Sequence, residues 1–203
     1  SEYYKLALTE DKFGLKSDWY EDTSNWHSFN QFFARRLKDP GKRPIALPQD
    51  ESIVVSPADA MPQGTWRIDS NSHITEQSGV VVKTGTIHSV KSLLGESSKY
   101  CNEFAEGTFT HTFLDVGDYH RYHFPLSGVI KEIKIIPATN TSGGLISWDS
   151  QKKKYLFDPA GMGYQTIETR GCIILETERY GLVALLPIGM SPVSSVNFLG
   201  NIK

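Results

Sequence analysis

Two apolar runs, Cys172-Ile173-Ile174-Leu175 and Leu182-Val183-Ala184-Leu185-Leu186, flank the tetrapeptide Glu178-Arg179-Tyr180-Gly181. Short β-branched runs joined by a glycine-containing turn predict an antiparallel hairpin whose strands are buried. Strand signals recur upstream: Val80-Val81-Val82, the alternating Phe109-x-His111-x-Phe113, and Val129 to Ile136. Ser89 to Leu94 predicts one brief helix, capped by Ser89 and stopped by Gly95. Near the N-terminus, Trp26, Phe29, Phe33 and Leu37, widened by Phe32, recur at helical spacing between a Thr23-Ser24-Asn25 capping cluster and Pro40-Gly41. They predict an amphipathic helix packed on the body, with Arg35 and Arg36 on or beside its polar face. The fold class expected is α+β: a β-rich single domain of antiparallel sheets with an N-terminal helical segment. An arm would cover residues 1–45 and a catalytic body residues 46–203. Residues 138–165, rich in Gly, Asn, Asp and Lys, have loop composition.

A net charge of −2 in 203 residues gives no electrostatic case for nucleic acid. Lys152-Lys153-Lys154 reads as a solvated loop, with attraction to a membrane surface the minor alternative. No run approaches the ~20 apolar residues that cross a bilayer, and Ser1-Glu2-Tyr3-Tyr4-Lys5 does not resemble a signal peptide. The chain as given is expected to be soluble and cytoplasmic. Cys101 and Cys172 are too few and too far apart to indicate a disulfide framework or a metal site. No dinucleotide-binding glycine motif, phosphate-binding loop or nucleophile elbow is present.

Chemistry is densest at Asp118-Tyr119-His120-Arg121-Tyr122-His123, followed by Phe124-Pro125. Histidine exchanges protons near neutral pH, so two of them beside a carboxylate suggest acid–base work. If the segment is extended, Asp118 and His120 face one way and His123 the other. A metal shared by His120 and His123 would then need a turn in the backbone, so separate jobs for the two histidines are expected.

Five segments, read in order, resemble the pyruvoyl-dependent phosphatidylserine decarboxylase family. They are Phe29-Asn30-Gln31-Phe32-Phe33-Ala34-Arg35-Arg36 running to Arg43-Pro44, then Val55-Ser56-Pro57-Ala58-Asp59, then Ser89-Val90-Lys91-Ser92-Leu93-Leu94-Gly95, then Asp118 to Pro125, and Gly189-Met190-Ser191-Pro192-Val193-Ser194-Ser195-Val196. The resemblance implies a precursor that cuts itself at a Gly-Ser bond and converts that serine to a pyruvoyl group. By position, His123 would be the general base, Asp59 the carboxylate that orients it, and the serine the nucleophile, in the arrangement of a catalytic triad. The pyruvoyl cofactor would then hold the substrate amine as a Schiff base and act as an electron sink for decarboxylation. His120 would return the proton, with Asp118 on its face to hold its tautomer or simply solvated.

The serine is not in these residues: Gly143-Gly144 is followed by Leu145, and Leu199-Gly200 by Asn201. The resemblance therefore implies a β chain whose pyruvoyl-bearing α chain is a separate product of one precursor. It leaves open a homodimer of αβ units and a peripheral seat at a membrane. Two departures from the family pattern stand out: Ala60 replaces the glycine usual after Asp59, implying a modestly different turn, and His88 stands where tyrosine is usual, either structural or in the substrate pocket. The Met190-to-Ser195 stretch is similar to a branch acting on free aromatic amino acids such as tryptophan. The substrate, an amine-bearing carboxylate, is thus phosphatidylserine by default, with a free amino acid as the rival. A non-catalytic relative and a metal enzyme using His120 and His123 are the remaining alternatives.

Overall fold

Within the computed structural model, residues 9–11, 13–75, 88–138, 145–151, 154–158, 168–189 and 193–200 are described. Among them nine strands follow in chain order: β1 (Met61–Ile68), β2 (His73–Thr75), β3 (His88–Ser89), β4 (Thr108–Phe113), β5 (Val129–Ile136), β6 (Leu145–Asp149), β7 (Lys154–Asp158), β8 (Arg170–Thr177) and β9 (Gly181–Leu185). They form three sheets, ordered β3-β2-β1-β4, β5-β8-β9 and β6-β7. The pairings β1–β2, β2–β3, β5–β8, β6–β7 and β8–β9 are antiparallel. The β-rich, antiparallel architecture is the expected one.

The hairpin anticipated in the last third is β8–β9, in register Ile173↔Leu185 and Thr177↔Gly181. Gly181 supplies the positive φ of its turn, 65°. Thr177 closes the turn, its Oγ1 donating to the Gly181 carbonyl (2.9 Å) and accepting from the Tyr180 amide (3.1 Å). β5 flanks β8 on the other side, so β8 is central and Arg170 to Leu175 are all buried. Alternation then divides the apolar residues between two faces. Cys172 and Ile174 join Trp66, Ile68, Ile74, Val90, Leu93, Leu94 and Cys101 in one cluster, while Ile173, Leu175 and Leu185 form another. Both cysteines are free and buried.

The brief helix, Val90–Leu94, is capped as expected: Ser89 Oγ accepts from the Ser92 amide (3.1 Å), and Gly95 ends it at φ 76°. Its last carbonyls are taken by the buried Arg170, whose Nε donates to Leu93 O (2.7 Å) and Nη2 to Ser92 O (2.6 Å).

Three expectations need correction or fall outside the described residues. The long N-terminal helix is only Phe29–Phe33, capped by Ser28 Oγ on the Gln31 amide. Glu21 ends it: its amide donates to Arg36 O (3.0 Å) and its carboxylate accepts from Arg36 N (3.0 Å), while Tyr20 and Leu37 form an antiparallel bridge. The aromatic spacing instead reflects a cluster about Phe32, with Phe13, Trp26 and Phe29 centroids 5.3, 5.5 and 6.0 Å away. The stretch 138–165 is not wholly loop, since β6 and β7 pair there from Leu145↔Asp158 to Asp149↔Lys154. The Val80-Val81-Val82 strand and residues Met190 to Pro192 lie outside the described residues.

The chain gathers into two units, residues 1–63 with 111–127, and residues 64–110 with 128–203. It passes from the first to the second within β1 and returns within β4. Residue 45, the expected junction between arm and body, lies inside the first unit.

Candidate active site

The segment carrying both histidines is not a strand: residues 119–124 have no regular secondary structure. Extended-strand alternation therefore does not decide where these side chains point. The preceding turn is closed by the Asp118 amide donating to Asp115 O (3.0 Å), and Asp118 Oδ2 accepts from the Asp115 amide (2.7 Å). Arg35 then fixes the segment from beneath. Its Nη2 donates to the carbonyls of Gly117 (2.7 Å) and Asp118 (2.9 Å), and its guanidinium lies 4.5 Å from the Tyr20 ring centroid. Arg35 is fully buried, not on a polar face as expected. Carbonyls of a turn cannot be satisfied by the turn itself, and a five-donor fork can serve two of them at once. Arg121 reaches the opposite way, its Nε donating to Ala34 O (2.9 Å) and Arg35 O (3.1 Å), the carbonyls that end the Phe29–Phe33 helix.

So held, the two histidines meet different surroundings. The His120 ring stacks on Phe33, centroids 3.7 Å apart and planes 23° from parallel. Its Nε2 lies 3.0 Å from the Asp115 carbonyl; a carbonyl only accepts, so that nitrogen carries a proton. Burial lowers its pKa below the ordinary histidine value and the Arg35 charge adds to this, against the opposing pull of the Asp115 and Val116 backbone and of Asp118. The Asp118 carboxylate is engaged by the Asp115 amide, so what faces the His120 ring nitrogen is the Asp115 carbonyl.

His123 is exposed at the surface, but its backbone is pinned: its amide donates to Pro57 O (2.8 Å). Its ring stacks on Tyr119 (5.7 Å, 24°), which in turn stacks on Tyr20 (6.1 Å, 24°). Partial desolvation lowers its pKa, the positive charges of Arg43 and Arg121 lower it further, and Asp59 pulls the other way. The backbone bond to Pro57 brings His123 beside the Ser56-to-Asp59 loop. There the Ala60 amide donates to Ala58 O (2.9 Å), a three-residue turn with Asp59 at its apex. Ala60 is not among the residues with positive φ, so this turn does not call for glycine at that position. Asp59 Oδ1 accepts from Arg43 Nε (3.0 Å), and Arg43 Nη2 also donates to Ser56 O (3.1 Å).

His123, Asp59, His120 and Asp118 all belong to the first unit, whereas His88 belongs to the second, in β3 opposite Ile74. Arg43, Arg35, Arg121 and Tyr119 were not anticipated as parts of the site: Arg43-Pro44 was noted only as a mark of resemblance, and Arg35 as such a mark and as lying on or beside a polar helix face. Among the described residues no group of three or more His, Cys, Asp and Glu could hold a metal ion. Two imidazoles whose pKa is lowered, one of them near the Asp59 loop, make a site suited to taking a proton from a hydroxyl.

Comparison with known proteins gives the family. Residues 29–201 match the family model described as phosphatidylserine decarboxylase. A phosphatidylserine decarboxylase proenzyme of Hamiltonella defensa is 30% identical over 195 residues, 96% of this chain and 60% of that protein. Proenzymes of the same name from Salmonella arizonae and Salmonella paratyphi B are each 33% identical over 135 residues, 66% of this chain and 37% of theirs. The chain thus spans about 60% or less of the length of these relatives. It belongs to the phosphatidylserine decarboxylase family.

Proposed function

We propose that this chain is part of a self-processing, pyruvoyl-dependent carboxy-lyase that converts the serine headgroup of phosphatidylserine to ethanolamine. The observation that carries the reading is the His123 amide's bond to Pro57 O (2.8 Å), which sets His123 next to the loop that bears Asp59. A neutral imidazole can accept the proton of a serine hydroxyl as that oxygen attacks the preceding carbonyl carbon. The C–N bond then breaks, the departing amine takes a proton, and an ester remains. Elimination from the ester gives dehydroalanine, whose hydrolysis releases ammonia and leaves the pyruvoyl end. The serine is supplied from outside these 203 residues, on the α chain of the same precursor. Asp59 stabilises the imidazolium that forms on His123.

The residues present fit such a group in their donor chemistry, two proton-exchanging imidazoles on one rigid segment. When in place, the pyruvoyl ketone supplies an electron sink that lets carbon dioxide leave an amine-bearing carboxylate. His120, fixed by Phe33 and the Asp115 carbonyl, would return a proton to the carbon that lost its carboxylate. Among the described residues no helix is long and apolar enough to cross a membrane.

The relatives' names favour phosphatidylserine over a free aromatic amino acid. Carbon dioxide release by the full-length protein, measured with phosphatidylserine vesicles and with tryptophan, tests this. Release from the vesicles alone is expected; release from tryptophan alone would overturn the substrate, and release from neither the enzyme reading.

A further inference from the structure

We infer that Arg43 is a positioning residue for the His123 site, holding the Asp59 carboxylate and its loop in place through one bifurcated guanidinium grip. The inference rests on the reading of His123 as the base for self-cleavage and adds a residue to it.

Three bonds converge on Ser56 to Asp59. Arg43 Nη2 donates to Ser56 O (3.1 Å), the His123 amide donates to Pro57 O (2.8 Å), and Arg43 Nε donates to Asp59 Oδ1 (3.0 Å). The loop also closes on itself, through Ser56 Oγ on Ala58 O (2.6 Å) and the Ala60 amide on the same carbonyl (2.9 Å). Arg43 thus ties the carboxylate of Asp59 to the backbone that bears it, and the middle residue of that backbone is bound to His123. Its side chain is mostly covered, 19% exposed, against 42% for Asp59. A rigid fork can bond two acceptors in fixed relation; a lysine ammonium supplies the charge without that geometry.

The same placement sets the field at His123. The groups acting on its ring are Arg43 and Arg121, which oppose protonation, and Asp59, which favours it, with the Tyr119 ring stacked on one face. By occupying Asp59, Arg43 offsets the carboxylate that would otherwise draw a proton onto His123 before a serine could offer one.

The test uses the full-length precursor with Arg43→Gln and Arg43→Lys, reading two quantities. The first is the titration midpoint of the His123 imidazole by nuclear magnetic resonance, which does not depend on activity. The second is the rate of self-cleavage against pH. Arg43→Gln should move the His123 midpoint upward and slow cleavage, most strongly near pH 6.5 and on the order of 10-fold there, with only partial recovery as pH rises, since His123 regains its neutral form but the fork is still missing. Arg43→Lys should restore the midpoint while cleavage stays slow at every pH, because charge returns and the fork does not. An unmoved midpoint in a folded Arg43→Gln protein, or full cleavage rates in both variants, would overturn the inference. Normal cleavage by a His123→Ala precursor would instead overturn the reading of His123 as base, so the two failures are distinct.

Discussion

Arg121 holds the backbone carbonyl of Arg35 across 86 residues of sequence, while Arg35 holds the turn just before Arg121. Arg35 Nη2 donates to the carbonyls of Gly117 and Asp118, and Arg121 Nε donates to those of Ala34 and Arg35. Each arginine stabilises carbonyls stranded where regular structure ends, one at a turn and the other at a helix terminus. The segment between Gly117 and Arg121 contains His120 and leads into His123, so this clasp sets the starting geometry for both imidazoles.

Removing either arginine should therefore destabilise the first unit, and unequally. Arg35→Met would leave two turn carbonyls without a buried donor and lose the stack on Tyr20, a cost of about 2–4 kcal/mol. Arg121→Met, at a less buried site, should cost about 1 kcal/mol. Urea unfolding of the single and double variants checks both, and the double variant should cost less than the sum because the two grips share one joint.

Stability should fall on mild acidification. Both His120 and His123 have folded pKa values below the ordinary histidine value, so the unfolded chain binds their protons first. Their contribution is fully present above the unfolded value, is lost as pH drops toward the folded values, and levels off below them. Thermal unfolding between pH 7.5 and 4.5 should show this slope. His120→Gln should flatten part of it, and an unchanged slope in that variant would contradict the assignment.

The cysteines should be silent in the native protein. Cys172 is fully buried in β8 with its thiol pushed up to about 11 by desolvation, and Cys101 is buried with Sγ donating to Ser98 O (3.0 Å). The thiolate is the reactive form, so a thiol reagent at pH 7.5 should label neither until the protein is unfolded. Labelling of Cys172 at the rate of a free thiol would contradict its place in the core.

Much of the second unit is legible from local pattern. The β8–β9 hairpin, β5 and the Ser89–Gly95 helix each declare themselves through short-range signals: β-branched runs, a capping serine, a stopping glycine. The N-terminal region misleads because four aromatics at helical spacing pack as a cluster around Phe32, while Glu21, fifteen residues before Arg36, captures that residue's amide and ends the helix. The burial of Arg35 has no local signal, since its acceptors lie 82 and 83 residues on. The β6–β7 hairpin is hidden by turn-forming and charged residues on either side of it. At the candidate site, position and resemblance nominate Asp59 and His123, and the Pro57–His123 backbone bond gives their nearness a physical basis. The partner of Asp59 could not be read, because nothing in Arg43-Pro44 says which acid sixteen residues away it will bind.

The two histidines divide the labour, His123 serving self-cleavage and His120 decarboxylation; this division is the reading to test. It is tested most directly by expressing the full-length precursor with His123→Ala or His120→Ala and following chain mass and carbon dioxide release together. His123→Ala should stay a single uncut chain, while His120→Ala should cut into two chains but release carbon dioxide at least ~100-fold more slowly than the unaltered protein. Normal cutting by His123→Ala, or undiminished release by a processed His120→Ala protein, would contradict it.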